Sequence, residues 1–349
     1  MTVKVTKPAL NLREKLAELD KPTGVAGEAM LRAETPQEQF NLIGAGRRNL
    51  IINGDFQVSQ RGDYSSATAA TNSAYYLDRF KMAISLATAT VQHNEVVLPN
   101  GVKTMAMKVA ATSDSSGYLG VRHVIEDFRV LSGQVVTASM WVRTTLKDLT
   151  FRHDSTTNFG DTIAPDGEWH YHTATYQMPT ITAAGTGANQ TTLAIINYID
   201  GVGGAGTTNG QYFEVAQVQL ELGKVATPFE HRSYGEELAL CQRYFETIKD
   251  NKDMICVATS FSDQAAYGSI DYKVEKRATP TVTFTGGASN YRYRTNGNNR
   301  TLTSIGTSSV NDQNFRIDIG VGSGNTVASH SGWLSENTGG TGIDIDAEL

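Results

Sequence analysis

Thr104-Met105-Ala106-Met107-Lys108-Val109 places Met105, Met107 and Val109 on one side and Thr104, Ala106 and Lys108 on the other. A side-chain period of two is that of an extended strand with one face to a core and one to water. Val136, Ala138, Met140 and Val142 repeat the pattern, although Trp141 breaks the polarity of the opposite face. Around these two runs (104–110 and 135–142), residues 50–58, 91–97, 170–177, 193–199 and 212–222 also read as strands. Pro99-Asn100-Gly101, Pro165-Asp166-Gly167 and Asp200-Gly201-Val202-Gly203-Gly204 supply turns between them. No long helical period intervenes. Residues 49–234 are therefore expected to form an antiparallel β-sandwich of jelly-roll type rather than an alternating α/β fold.

Residues 1–48 read differently. Asn11-Leu12-Arg13-Glu14 is a capping box, Leu12, Leu16 and Leu19 follow as one apolar stripe, and Pro22 stops the helix. A second helix start is Thr35-Pro36-Gln37-Glu38, with proline at the first helical position. Such short helices need a surface to bury their stripe, either the next domain or, if this is an attachment segment, other copies or another protein. Residues 235–349 open on a linker helix. Ser233-Tyr234-Gly235-Glu236 is another capping box, and Leu238, Cys241 and Phe245 share one face. Strand-like runs at 267–274, 281–285, 316–320 and 343–347 then predict a smaller C-terminal β-sandwich. Its loops are crowded with Gly, Ser and Asn, so association with identical copies would complete a thin core.

The composition is that of a mainly β chain: 349 residues, 33 of them glycine, with 40% hydrophobic residues. A net charge of −6 argues against a nucleic-acid surface. No apolar run approaches the length of a membrane span, and residues 1–8 lack the apolar centre of a signal peptide. The expectation is a chain that folds in a cytoplasm without inserting into membrane. Two cysteines, Cys241 and Cys256, are too few for a disulfide framework.

Chemistry-bearing patterns are sparse. His170 and His172 would point the same way on a strand, but no third metal ligand is spaced with them. His153-Asp154 and Glu126-Asp127 have no visible nucleophile or acid partner, and neighbours on a strand face opposite ways. Nucleophile elbows, zinc-protease helices and phosphate loops are missing, so neither catalytic residues nor a cofactor is expected. A lone Asp55 gives little support to a calcium site, and Arg61-Gly62-Asp63 is a chance-length match to an integrin-binding tripeptide. The best ligand surface is Asn290-Tyr-Arg-Tyr-Arg-Thr-Asn-Gly-Asn-Asn-Arg300. Tyr291 and Tyr293 would share one strand face, Arg292 and Arg294 the other, with Trp333 as a second aromatic. Aromatic faces suit sugar rings, and arginines suit hydroxyls or carboxylates. The bland alternative makes one of those faces core and the Asn-rich stretch a hairpin turn.

Two long segments carry a resemblance. Residues 215–245, from Val215-Ala-Gln-Val-Gln-Leu-Glu-Leu-Gly to Cys241-Gln-Arg-Tyr-Phe245, resemble a segment of bacteriophage tail-fibre and receptor-binding proteins. Asn49-Leu-Ile-Ile-Asn-Gly-Asp-Phe-Gln-Val-Ser-Gln-Arg-Gly62 resembles the opening of the same proteins' sandwich domain. Asn53-Gly-Asp-Phe56 and Asp166-Gly-Glu-Trp169 are also similar to carbohydrate-binding-module jelly rolls. The resemblance implies a virion tail fibre that docks on a phage tail or adaptor protein through residues 1–48. It also implies a homotrimer whose C-terminal β domain forms the distal tip and a C-terminal half that binds host cell-surface glycan; the apolar face of Leu238, Cys241 and Phe245 is the candidate interface beside that domain. A decoration fibre without a receptor, and a carbohydrate-active enzyme or its sugar-binding module, are the alternatives.

Overall fold

The computed structural model describes residues 48–126, 131–153, 157–180, 190–200, 202–249, 254–295, 297–337 and 342–348. The attachment segment expected over residues 1–48 therefore lies outside the described residues, apart from Arg48. The chain is mainly β, as its alternation predicts. One sheet runs, in spatial order, β1 (Thr68–Ala70), β3 (Ala89–Val97), β4 (Lys103–Ala111), β12 (Tyr212–Leu222), β6 (Val135–Thr144) and β9 (His170–Gln177). The second runs β2 (Phe80–Ser85), β5 (Tyr118–Glu126), β10 (Gln190–Ile199), β7 (Leu149–His153) and β8 (Thr157–Phe159), with β11 (Gly203–Gly204) beside β10. All pairings among these strands are antiparallel. Alternate residues of both sheets meet in one core: Met107, Val109, Val136, Met140 and Phe213 from the first, Met82, Val121, Phe151 and Ile195 from the second.

Strict alternation breaks in β12. Phe213 and Val215 are core residues, yet so are Val218 and Leu220, which differ in parity. A bulge between Ala216 and Gln219 absorbs the extra residue, and Gln217 adopts φ 52° there. Without it, a one-residue slip would turn Gln217 and Gln219 into the core. The bulge frees the main chain of Val218, whose N–H donates to the Gly54 carbonyl (2.7 Å) and whose carbonyl accepts from Asn49 Nδ2 (3.1 Å). A Cβ on Gly54 would fall 2.1 Å from that carbonyl, so only glycine fits. Residues 50–58, read as a strand, are instead a turn. Asn53 sits at φ 61° and its side chain bonds both N–H and C=O of Val58 (2.9 and 2.8 Å), local bonds that displace ladder pairing.

The linker helix, α1 (Tyr234–Gln242), begins at its sequence signature, with Ser233 Oγ accepting from the Glu236 N–H (3.3 Å). It ends before Phe245, which starts β13 (Phe245–Lys249). β13 pairs with β21 (Gly342–Asp346), and β21 with β16 (Thr281–Thr285). The remaining strands close a six-stranded barrel in the order β14 (Cys256–Ser260), β15 (Ala265–Asp271), β19 (Asn314–Val321), β18 (Asn298–Ser308), β17 (Tyr291–Thr295) and β20 (Ser331–Glu336). The C-terminal unit is thus a barrel on a three-stranded sheet, where a second sandwich was expected. Pairing of β14 with β20 leaves the barrel no open edge.

The helix residues proposed as an oligomer interface are used within the chain. Cys241 and Phe245 are buried, and Leu238 is half-buried. The Arg61 guanidinium lies 3.7 Å above the Phe245 ring, and Gln60 Nε2 donates to the Phe245 carbonyl (2.8 Å). Beside them the buried Arg79 ion-pairs with Glu348, donates to the Val124 carbonyl (2.6 Å) and covers the Tyr244 ring at 3.5 Å. Glu126 accepts from Tyr244 Oη (2.7 Å) and Arg243 (3.1 Å). These contacts join barrel to sandwich and engage Phe245, one of the three interface candidates, within the chain. They also engage Arg61, so Arg61-Gly62-Asp63 is not a presented tripeptide.

His123 sits inside this joint, edge-on to Phe80, with Nε2 accepting from the Ile52 N–H (3.1 Å). Burial first, then the nearby Arg79, holds its pKa well below 6.5. The neutral form is the folded form, while the unfolded chain takes up a proton below about 6.5. Stability contributed by this residue is present above that pH and lost as pH falls, by at most about 1.4 kcal/mol per unit. Urea midpoints measured at pH 7 and pH 5 are expected to differ less in His123→Gln than in the wild type. An unchanged difference would remove His123 as the cause.

Candidate functional site

The barrel does not present the tyrosines expected to hold a sugar. Tyr291 and Tyr293 are fully buried, and both point into its interior. Tyr291 Oη donates to the Gly342 carbonyl (2.7 Å), and Tyr293 Oη shares a hydrogen bond with Ser260 Oγ (3.1 Å). Gly332 makes room for this: its missing Cβ would lie 2.7 Å from the Tyr293 ring. Period-two alternation then sends Arg292 and Arg294 outward. There Arg294 stands directly opposite Trp333, which is 39% exposed and has Val257 on its other side. The surviving part of the expected surface is therefore Arg292, Arg294 and Trp333.

A richer aromatic surface lies on the outer face of the first sheet. Trp141, which spoils the polar side of β6, stands opposite Ala216 on β12 and Tyr171 on β9. The Trp141 and Tyr171 rings are 5.4 Å apart, and Tyr171 is 46% exposed. Trp141 and Trp169 both pack on Ala106, Ala216 and Leu98, so small residues form a floor from which two indoles rise. One register step along, Gln92, Lys108, Glu214 and Arg143 form a row across β3, β4, β12 and β6. Glu214 is fully buried at the hub of that row. It accepts from Arg143 Nε (2.7 Å) and Asn94 Nδ2 (3.1 Å). Its role is to aim the arginine, which lies 5.0 Å from the Trp169 ring. Lys108 covers the Tyr212 ring at 4.5 Å. Aromatic ledge and polar row together suit a saccharide, with ring faces on the indoles and hydroxyls on the amides and cations.

The other sequence candidates fall into structural roles. His170 and His172 do share a side, opposite Val142 and Met140. His170 bonds Asp166 (2.9 Å), whereas His172 stacks on Phe151 and burial lowers its pKa. Asp166 accepts from the Glu168 N–H, chiefly for which its own pKa is lowered, so this part of the Asp166-to-Trp169 motif shapes a turn. His153 bonds Thr191 Oγ1 (2.8 Å), and Asp127 and Asp154 lie outside the described residues. Among the described residues, no group of three potential metal ligands occurs. No described helix is long and apolar enough to cross a membrane.

No protein-family model and no curated protein sequence matches the chain. Among solved structures, a domain of bacteriophage CBA120 tailspike protein 4, described as enzymatically active, is similar at TM-score 0.29 and 11% identity. That likeness covers 50% of this chain but only 21% of the tailspike chain. A Bacteroides thetaiotaomicron protein assigned provisionally to sugar binding aligns at TM-score 0.31 and 13% identity, covering 50% of this chain and all of its own. A family 11 carbohydrate-binding module of a Clostridium thermocellum cellulase aligns at TM-score 0.26 and 14% identity, over 47% of this chain and 98% of the module. At these scores the likenesses assign this chain neither a ligand nor an activity.

Proposed function

We propose that this chain is a non-enzymatic phage tail fibre that docks on the particle through residues 1–48 and binds host-surface glycan. Its principal sugar site is the outer face of the sandwich's first sheet. The observation that carries the reading is the aromatic ledge of Trp141, Trp169 and Tyr171 beside the Arg143–Glu214 pair. The phage assignment rests on the two long sequence segments around Asn53 and Val218. In the fold these join sandwich to helix, so they mark the scaffold, and the ligand surface lies elsewhere.

Purified protein is expected to bind polysaccharide from a susceptible host in affinity electrophoresis. Trp141→Ala with Tyr171→Ala should weaken it roughly 10- to 100-fold, as removal of about 1.5–3 kcal/mol of stacking and burial implies. Unchanged retardation of the double variant would move the site. Release of reducing sugar by the wild type would replace a binder with an enzyme.

The homotrimer belongs to the same reading, with its contact through the C-terminal β domain rather than the helix. Cys241 and Phe245 are buried within the chain, whereas Val257, Phe261 and Val327 on the barrel are 62%, 64% and 58% exposed. Contact between copies through the barrel would cover them, and linked copies raise the avidity of weak sugar sites by roughly 10²–10⁴. Light scattering is expected to give three times 37.7 kDa, and Val257→Asp to lower that mass. A wild-type monomer would dispose of the trimer while leaving the sugar site standing.

A further inference from the structure

The outer face of the second sheet carries a row of a different kind. Lys81, Arg122, Ala194, Arg152 and Asn158 are successive register partners across β2, β5, β10, β7 and β8. Three of the five are cations. Arg152 is answered: it ion-pairs with Asp200, bonds Asn158 Oδ1 (2.8 Å) and lies 4.1 Å from the Tyr198 ring. Arg122 is not. Among the described residues it has no ion pair, and its buried Nε has no hydrogen-bond partner. Its direct neighbour on β2 is another cation, Lys81, an opposition that sheets ordinarily avoid. A half-buried guanidinium opposite a like charge gains from an anion that meets its exposed amino groups.

The ground next to Arg122 is shaped to admit such a group. One register step along, Ala83, Gly120 and Ile196 form a low floor without polar side chains. A further step on, Tyr118 and Tyr198 meet edge to face, their ring centroids 5.6 Å apart, and pack on that floor. Cation row, small floor and aromatic pair thus lie in sequence as three rows, two register steps from first to last. Two residues along a strand span about 6.6 Å, close to the width of one sugar ring. A pyranose seated on the floor would rest against the tyrosines, with a ring substituent reaching Arg122.

We infer that this face is a second saccharide site, selective for sugars bearing a carboxylate, whose planar oxygens match the guanidinium fork. It is on the opposite sheet from the Trp141 ledge and does not depend on that site.

Oligogalacturonate titrated calorimetrically into the full chain tests it, with a neutral dextran oligosaccharide and a single-stranded DNA of equal charge as comparisons. The wild type should bind oligogalacturonate saturably, and more weakly as salt rises. Arg122→Gln should reduce that affinity tenfold or more while Trp141→Ala leaves it unchanged. Because the substitution removes a repulsion, Arg122→Gln should melt no lower than the wild type, which separates a lost ligand contact from a damaged fold. Absence of saturable binding, unaltered binding in Arg122→Gln, or equal affinity for the DNA would each overturn the inference. Loss in Trp141→Ala alone would return the acidic sugar to the first sheet.

Discussion

Replacing Glu246 with leucine is expected to destabilise the C-terminal unit by about 3–5 kcal/mol, the usual consequence of stranding one member of a buried ion pair. Glu246 Oε2 lies 2.7 Å from Lys276 Nζ, and both side chains are almost wholly buried where α1, β13 and the loop after β15 meet. The ammonium also donates to the Gln242 carbonyl at the helix end (2.6 Å), and Glu246 accepts the Lys273 N–H (3.2 Å). Leucine would leave the cation with the carbonyl and the Tyr272 ring, 5.0 Å away. Lys276→Met should be comparably harmful, whereas Glu246→Leu with Lys276→Met should recover most of the loss, since an apolar pair needs no compensation. Burial already holds Lys276 below 10.5 despite its partner. Because the unfolded chain holds that proton more tightly, the Glu246→Leu deficit should shrink as pH rises towards 10.5. Urea unfolding of the four proteins at neutral and alkaline pH decides it. A double variant as unstable as the singles would mean that the site is held by shape rather than by charge.

The second large effect is expected at Arg232. Its guanidinium donates to the carbonyls of Asn49 and Ile51 and pairs with Glu237 (3.3 Å) and Glu230 (3.4 Å). Glu230 in turn accepts the Asn49 N–H (2.6 Å) and Glu237 the Asn53 N–H (2.5 Å). Arg232→Leu removes the cation from two carboxylates and unties two carbonyls, at about 3–5 kcal/mol. Burial already raises the pKa of Glu237, so Glu237→Gln, which keeps an acceptor for Asn53 without the charge, should return a measurable part of the loss. Thermal unfolding of the single and double variants measures the coupling. A strictly additive pair would show that Arg232 acts through the carbonyls alone.

Legibility in the sequence followed local physics. β9, β12 and β16 could be bounded because turn residues flank runs of high strand propensity, and α1 because Ser233 sets its first turn. β5 escaped notice because Gly120 and Arg122 stand outside while His123 stands inside, so neither parity reads as apolar. β13 read as more helix, since Phe245 continues the period of Leu238 and Cys241 and only tertiary pairing with β21 makes it a strand. Tyr291 and Tyr293 carried no mark to distinguish a barrel lining from a sugar platform, because closure depends on β14 and β20, far apart in sequence. Trp141 did leave a signal. A large aromatic on the polar parity of an otherwise regular strand has no place in the core and asks for another use.

One consequence of the β13–β21 pairing concerns inheritance. All described residues between 254 and 337 lie between two strands that are hydrogen-bonded neighbours, so the backbone passes into and out of the barrel through a gate about 4.8 Å wide. Recombination that swapped this stretch would have to match that spacing, supply a strand to shield the other edge of β21, as β16 does, and return a cation to the buried Glu246, as Lys276 does. The Arg61, Arg79 and Phe245 contacts below the gate would persist, and with them the sandwich and both of its outer faces. The barrel can therefore diverge faster than the domain that carries it, provided the partner of Glu246 is kept.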